Sequence, residues 1–279
     1  MPYADQPTVT ASGVEIPLLG FGTWQLEPAE ARRMVAEAIR IGYRHIDTAF
    51  IYKNEEAVGQ GIADAGVARD DLFVTTKIWV DNFHDGDLQK QAEESAGRLG
   101  LTPDLLLLHW PKPSPPLAET IKALNDARAQ GFTRHIGLSN FPSAQFREAA
   151  ALSDAPLVTN QVEYHPFLSQ KTLIATAAEL RSSITAWSPL AQGKIADEPV
   201  ILEIAERHGK TAGQITLRWL IQQGVIAIPR TTKEGRAREN FDIFDFALSD
   251  DDMARIHALA APDGRIGDWL DAAFQWDRD

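Results

Sequence analysis

No cysteine occurs among the 279 residues, which excludes disulfides, thiolate nucleophiles and cysteine-based zinc sites outright. Long apolar runs are missing too: no stretch reaches about 18 apolar residues, the length a bilayer-spanning helix needs. The opening MPYADQPTVTASG has no basic stretch followed by an apolar one. A secretory signal is therefore not expected, and the cytoplasm is the default location. Positive charge is the scarcer sign. Lys plus Arg number 27 against 39 Asp plus Glu, a net charge of −12, and such a surface repels phosphate backbones and anionic lipid. Neither nucleic acid nor a membrane is expected as a partner. Long Ser/Pro/Gly linkers, low-complexity tracts and sequence repeats are also lacking.

What is present is an ordinary globular composition, 44% hydrophobic and 24% charged, which rules out disorder and allows a large core. The length admits two domains of about 140 residues or one closed α/β barrel of about 250. Periodicity decides between them. After PLLGFGT comes PAEARRMVAEAIRIG, where Ala31, Met34, Val35, Ala38 and Ile39 recur at the spacing of one helix face. The same alternation of a short apolar run with an amphipathic stretch continues to VIAIPRT and GRARENF, eight units in all. Runs such as LLLLHW and VIAIP suit parallel strands covered on both faces. Gly42, Gly66, Gly100, Gly131 and Gly209 stand where helices should close. The pattern predicts a single domain over 1–279, a (β/α)8 barrel in preference to a doubly wound sheet, which normally uses fewer strands. The start, PTVTASGVEIP, reads as a hairpin turning at Ser12-Gly13 across the barrel bottom. From about Pro262 the tail loses periodicity yet carries Trp269, Phe274 and Trp276.

In such a barrel the C-terminal strand ends face the active site. There the polar residues that interrupt apolar runs are Asp47, Lys77 and His109, with Tyr52 five residues past Asp47. Taken singly, each has a structural explanation: a capped strand end, a solvated lysine, a satisfied core histidine, a packed tyrosine. Together, on neighbouring strand ends, they can satisfy one another. An ammonium beside a phenol favours phenolate and is expected to lower the tyrosine's pKa, while a carboxylate keeps the ammonium charged. Tyr52 then serves as general acid and His109 orients a carbonyl oxygen. The set holds no hydride donor, so a reduced nicotinamide would have to supply it.

The segments GFGTW (20–24), GYRHIDTAFIYKNEEAVG (42–59), TTKIW (75–79), LLLLHWP (105–111), IGLSNF (136–141), NQVEYHP (160–166), WSPLAQGK (187–194) and IPRTTKEGRARENF (228–241) together resemble the aldo-keto reductase superfamily, in order and over nearly the whole chain. The resemblance implies a (β/α)8 barrel that binds NADPH without a Rossmann domain, with Asp47, Tyr52, Lys77 and His109 as the catalytic tetrad. The missing GxGxxG fits, since Gly20 and Gly22 of GFG lack a third glycine. By the same resemblance Gly22, Thr23 and Asp47 border the cofactor, Ser139, Asn140 and Gln161 hold the nicotinamide carboxamide, and Trp187, where many members have tyrosine, stacks on the ring. Ser188, Leu190, Gln192 and Gly193 wrap the pyrophosphate. Arg230, Thr231, Thr232 and Arg236 receive the 2′-phosphate, and Glu239 and Asn240 the adenine. Arg230 replaces a common lysine but keeps the charge. Two arginines suit a phosphate dianion and so favour NADPH over NADH.

For substrate, Trp24, Ile51, Trp79, His109 and Trp110 are expected to line the pocket, with Trp269 reaching it from the tail and Arg265 attracting an anionic group. Only PKPSPP separates the fourth strand from its helix, so the site should be shallow. The pattern is most similar to bacterial 2,5-diketo-D-gluconate reductase and methylglyoxal reductase members. It implies an NADP-linked oxidoreductase acting on CH–OH donors, reducing a small carbonyl compound and working as a monomer. No metal is expected. Two rivals remain: a Schiff-base aldolase using Lys77, and an NADPH-binding regulatory subunit without turnover.

Overall fold

The computed structural model describes residues 3, 6–267, 275–277 and 279. A hairpin opens the chain, β1 (Thr8–Ala11) against β2 (Val14–Pro17). Ser12 and Gly13 both take positive φ at its tip, the twist that a two-residue hairpin turn requires. Then strand and helix alternate. β3 (Gly20–Gly22) precedes α1 (Pro28–Ile41), β4 (His45–Asp47) precedes α2 (Glu55–Ala65), and β5 (Phe73–Ile78) precedes α3 (Asp87–Leu99). β6 (Leu105–Leu108) is followed by α4 (Leu117–Ala129), β7 (His135–Ser139) by α5 (Ser143–Leu152), and β8 (Leu157–Glu163) by α6 (Lys171–Glu179). β9 (Ser183–Trp187) leads to two helices, α7 (Pro199–His208) and α8 (Ala212–Gln222), and β10 (Ile226–Ala227) to α9 (Glu234–Phe241) and α10 (Asp250–His257).

The eight strands from β3 to β10 lie side by side in chain order and all pair in parallel. The ends meet. Leu19 bridges Ala227, the Ala227 amide donates to Leu18 O at 2.8 Å, and the Gly22 amide donates to Pro229 O at 3.0 Å. These bonds close the sheet into the expected (β/α)8 barrel, with helices outside and the hairpin at the N-terminal end, where Ser12 Oγ donates to Arg181 O. LLLL of β6 is buried throughout, as a strand covered on both faces must be. The five helix-closing glycines all adopt positive φ.

Helix packing is tight enough to fix one position absolutely. A Cβ at Gly59 in α2 would lie 2.1 Å from Leu99 O at the end of α3. α10 was not anticipated from periodicity. Its sequence signal is local: Ser249 caps the Asp252 amide, and the Asp252 carboxylate accepts from the Ser249 amide, a reciprocal cap.

Candidate active site

The alternation of β-strands turns every second side chain inward, and the parallel register sets the C-terminal residues of neighbouring strands at one level. Asp47 ends β4, Lys77 lies one residue from the end of β5, and His109 follows β6 directly. Tyr52 sits in a 3-10 turn, Phe50–Tyr52, just above Asp47. The structure brings the four together. Lys77, fully buried, donates from Nζ to Asp47 Oδ1 at 2.6 Å, to Thr48 O at 2.8 Å and to the Tyr52 hydroxyl at 3.4 Å. Gln161 Nε2 donates to the other Asp47 oxygen at 2.6 Å. The carboxylate therefore has a donor on each oxygen, which offsets its burial. The His109 ring stands edge-on to Tyr52 at 5.8 Å and to Trp79 at 5.3 Å.

The electrostatics follow from burial. Desolvation works against the Lys77 charge, but the Asp47 carboxylate and the Tyr52 hydroxyl outweigh it and hold the ammonium pKa above its ordinary value. That counts against the Schiff-base reading, because an attacking amine must be neutral. Burial, joined by the Lys77 charge, pushes His109 well below the usual histidine range, so its ring is neutral near pH 7. Its Nδ1 is buried with no hydrogen-bond partner among the described residues. Tyr52 departs from expectation. Desolvation raises its pKa and Asp47 adds to this, while Lys77 pulls down less strongly, so the phenol lies above its ordinary value. The Lys77 charge does favour the phenolate, but withdrawal of the ring from water outweighs it. Tyr52 is thereby kept protonated, the state an acid needs.

The candidate cofactor residues form one band along the mouth. Ser139 Oγ donates to Gln161 O at 2.8 Å, and Asn140 Nδ2 donates to Ser139 Oγ and to His109 O. Asn140 itself is held at φ 66°. Trp187 Nε1 donates to Asn140 Oδ1 at 2.9 Å. Beyond β9 the chain passes through positive φ at Ser188, Ala191, Gln192 and Gly193, three of them non-glycine residues that rarely adopt it. Thr23, buried, donates both its amide and its hydroxyl to Asp47 O. At the far end Arg230 and Arg236 are exposed around the start of α9, whose N-terminus has no side-chain cap among the described residues. Thr231 is buried and Thr232 partly so. Arg230 bonds Gln25 Oε1 across the barrel's join, and Glu239 accepts from Thr211. Asn240 is buried beside them. An uncapped helix start with two exposed guanidinium groups suits a phosphate dianion, so the residues present fit a 2′-phosphorylated nicotinamide cofactor.

Trp24, Ile51 and Trp79 are partly buried near the mouth, while Trp110 is buried. The tail reaches them: Trp276 packs edge-on to Trp110 at 6.2 Å, and the Arg265 guanidinium lies 3.7 Å over the Trp276 ring. Trp269 and Phe274 lie outside the described residues. Among the described residues no cluster of three or more His, Asp or Glu could hold a metal ion, and no helix is long and apolar enough to cross a membrane.

The sequence profile of the aldo/keto reductase family matches residues 18–261. The chain belongs to the aldo/keto reductase family. Among its relatives is the glyoxal reductase of Bacillus subtilis, 43% identical over 270 residues that span 96% of this chain and 97% of that one. A provisionally assigned 2,5-diketo-D-gluconic acid reductase B superposes with a TM-score of 0.95 at 48% identity, covering 97% of each chain. The Bombyx mori aldo-keto reductase in complex with NADP does so at 0.85 and 36%, over 91% of this chain and 93% of its own. This aldo-keto reductase is thus an oxidoreductase of a family whose members use a nicotinamide cofactor.

Two contributors to the site went unanticipated: the Thr48 carbonyl and Gln25. A backbone carbonyl and a loop glutamine leave no sequence signal.

Proposed function

We propose that this chain reduces small polar aldehydes and ketones to alcohols at the expense of NADPH, with Tyr52 as the proton donor. The observation that carries the reading is the buried Asp47–Lys77 pair with the lysine Nζ 3.4 Å from the Tyr52 hydroxyl. When bound, a reduced nicotinamide supplies the hydride. Everything else is done by the chain. Burial keeps the Tyr52 phenol protonated until a carbonyl oxygen arrives. As its proton leaves, the adjacent ammonium stabilises the phenolate, and Asp47 holds that ammonium in place. His109, neutral, has one ring N–H with which to orient the carbonyl oxygen.

Ser139, Asn140 and Gln161 would hold the carboxamide and Trp187 would face the ring, with Gly22 and Thr23 alongside. Ser188, Leu190, Gln192 and Gly193 would follow the pyrophosphate. Arg230, Thr231, Thr232 and Arg236 would take the 2′-phosphate, and Glu239 and Asn240 the adenine. The relatives named for glyoxal and 2,5-diketo-D-gluconic acid support small, oxygen-rich carbonyls such as methylglyoxal and β-keto esters. In this reading the protein works as a cytoplasmic monomer on a free small molecule. The deciding assay is NADPH oxidation with methylglyoxal or a β-keto ester: Tyr52→Phe should lower kcat about 10²–10⁴-fold, the usual worth of a positioned acid. A variant that kept most of its turnover would remove Tyr52 from the role.

A further inference from the structure

Glu163 ends β8 with its side chain fully buried, and the proton transfer described above does not use it. A carboxylate withdrawn from water needs several donors to offset its desolvation. One donor is close in sequence: His165 Nε2, 2.9 Å from Oε1. The others come from the far end of the chain. The Ile266 amide donates to Oε1 at 2.6 Å and the Gly267 amide to Oε2 at 2.9 Å. Burial works to raise this carboxyl's pKa, but the bonds from His165, Ile266 and Gly267 outweigh it and hold it below the ordinary value. Gly267 itself packs on Trp187, where an added Cβ would lie 2.5 Å from the indole Cη2. That same indole donates Nε1 to Asn140 Oδ1. Contacts thus run without a gap from Glu163 through Gly267 and Trp187 to Asn140.

We propose that Glu163 is a positioning residue: by gripping the Ile266 and Gly267 amides it seats Gly267 on Trp187, fixing the indole and, through it, Asn140. The geometry stands by itself, while its consequence for carbonyl reduction rests on the reductase reading. A glutamine at this position turns an NH₂ group toward an N–H donor, so at least one of the amide bonds must break. In Glu163→Gln, hydrogen exchange at one or both of the Ile266 and Gly267 amides should accelerate at least about tenfold, the scale of losing a bond to a charged acceptor. The Trp187 indole N–H resonance, assigned with Trp187→Phe, should shift as its bond to Asn140 changes. Gly267→Ala disturbs the same contact from the other side with the carboxylate intact, and should move the same resonance. It decides the matter if Glu163→Gln folds poorly. In turnover both variants should raise the NADPH KM more than they lower kcat. An unmoved indole resonance in the folded variants, or unchanged amide exchange in a folded Glu163→Gln, overturns the proposal. A natural protein that bound no NADPH and reduced no carbonyl would sink the reductase reading alone, with the exchange and resonance outcomes still judging Glu163.

Discussion

Replacing Lys77 by methionine removes the hub of the site while keeping an unbranched side chain of similar length. The ammonium is fully buried and donates to Asp47 Oδ1 at 2.6 Å, Thr48 O at 2.8 Å and the Tyr52 hydroxyl. In Lys77→Met the Asp47 carboxylate stays buried with Gln161 as its one side-chain donor left among the described residues. Breaking a buried pair by deleting one partner typically costs about 3–5 kcal/mol, because the survivor is left uncompensated. For a chain of this size that corresponds to a fall in Tm of about 6–20 °C. Asp47→Asn should be destabilising for the converse reason. The informative variant is the double one, Asp47→Asn with Lys77→Met, in which no charge is left unpaired. Its loss should fall short of the sum of the single losses by about 1–3 kcal/mol, measured by urea unfolding followed by circular dichroism. If the losses added to within about 0.5 kcal/mol, the two charges would not be coupled, and the account of Tyr52 as a phenol beside a balanced pair would fall with them.

Cofactor choice is tested by Arg236→Ala, which should weaken NADPH binding more than about tenfold by removing a charge-assisted contact; equal weakening of NADH in the same fluorescence titration would place Arg236 away from the phosphate. Gly59→Ala drives a methyl to 2.1 Å from Leu99 O, so α2 and α3 must separate, and the urea midpoint should fall by an amount equivalent to about 1–3 kcal/mol. Asp252, capped by Ser249 and bonded by Arg207 and His208, has its pKa lowered from 3.8 to about 2 as these bonds overcome burial. A depressed carboxyl contributes stability above its unfolded pKa and loses it as pH falls toward the folded one. The stability gap between the natural protein and Asp252→Asn should therefore be constant at neutral pH and shrink below about pH 4; a gap independent of pH would contradict this.

Much of the molecule could be read from residue order because its signals are local. Apolar runs such as LLLL and helix-face spacing such as Ala31, Met34, Val35 and Ala38 depend on neighbours in the chain, and they gave the eight units and the strand ends bearing Asp47, Lys77 and His109. VIAIP reads as the eighth strand, yet only Ile226–Ala227 pairs in the ladder, since an apolar run does not say how many of its residues find partners. α10 escaped because its helical face is brief, and only its Ser249–Asp252 cap announced it. Tyr52's pKa was misjudged for a different reason. Its sign depends on how far Asp47 cancels Lys77 and on how deep the ring lies, and both are set by three-dimensional packing. Glu163 is the extreme case, since its partners at 266 and 267 lie about 100 residues away.

The join between β3 and β10 also shapes how the chain can be made. Leu18 and Ala227 stand roughly 200 residues apart, so their pairing closes a loop spanning most of the protein, and the entropy of that closure is met only once the intervening strands are in place. A chain emerging from the ribosome therefore holds an open, curling sheet with a bare leading edge until its last quarter appears. Such an edge invites pairing with a neighbouring chain. Here it is only three residues long, Gly20–Gly22, and its eventual partner only two, Ile226–Ala227. Strands this short offer a stranger little to hold, so the same brevity that makes the closure slight also guards the unfinished barrel.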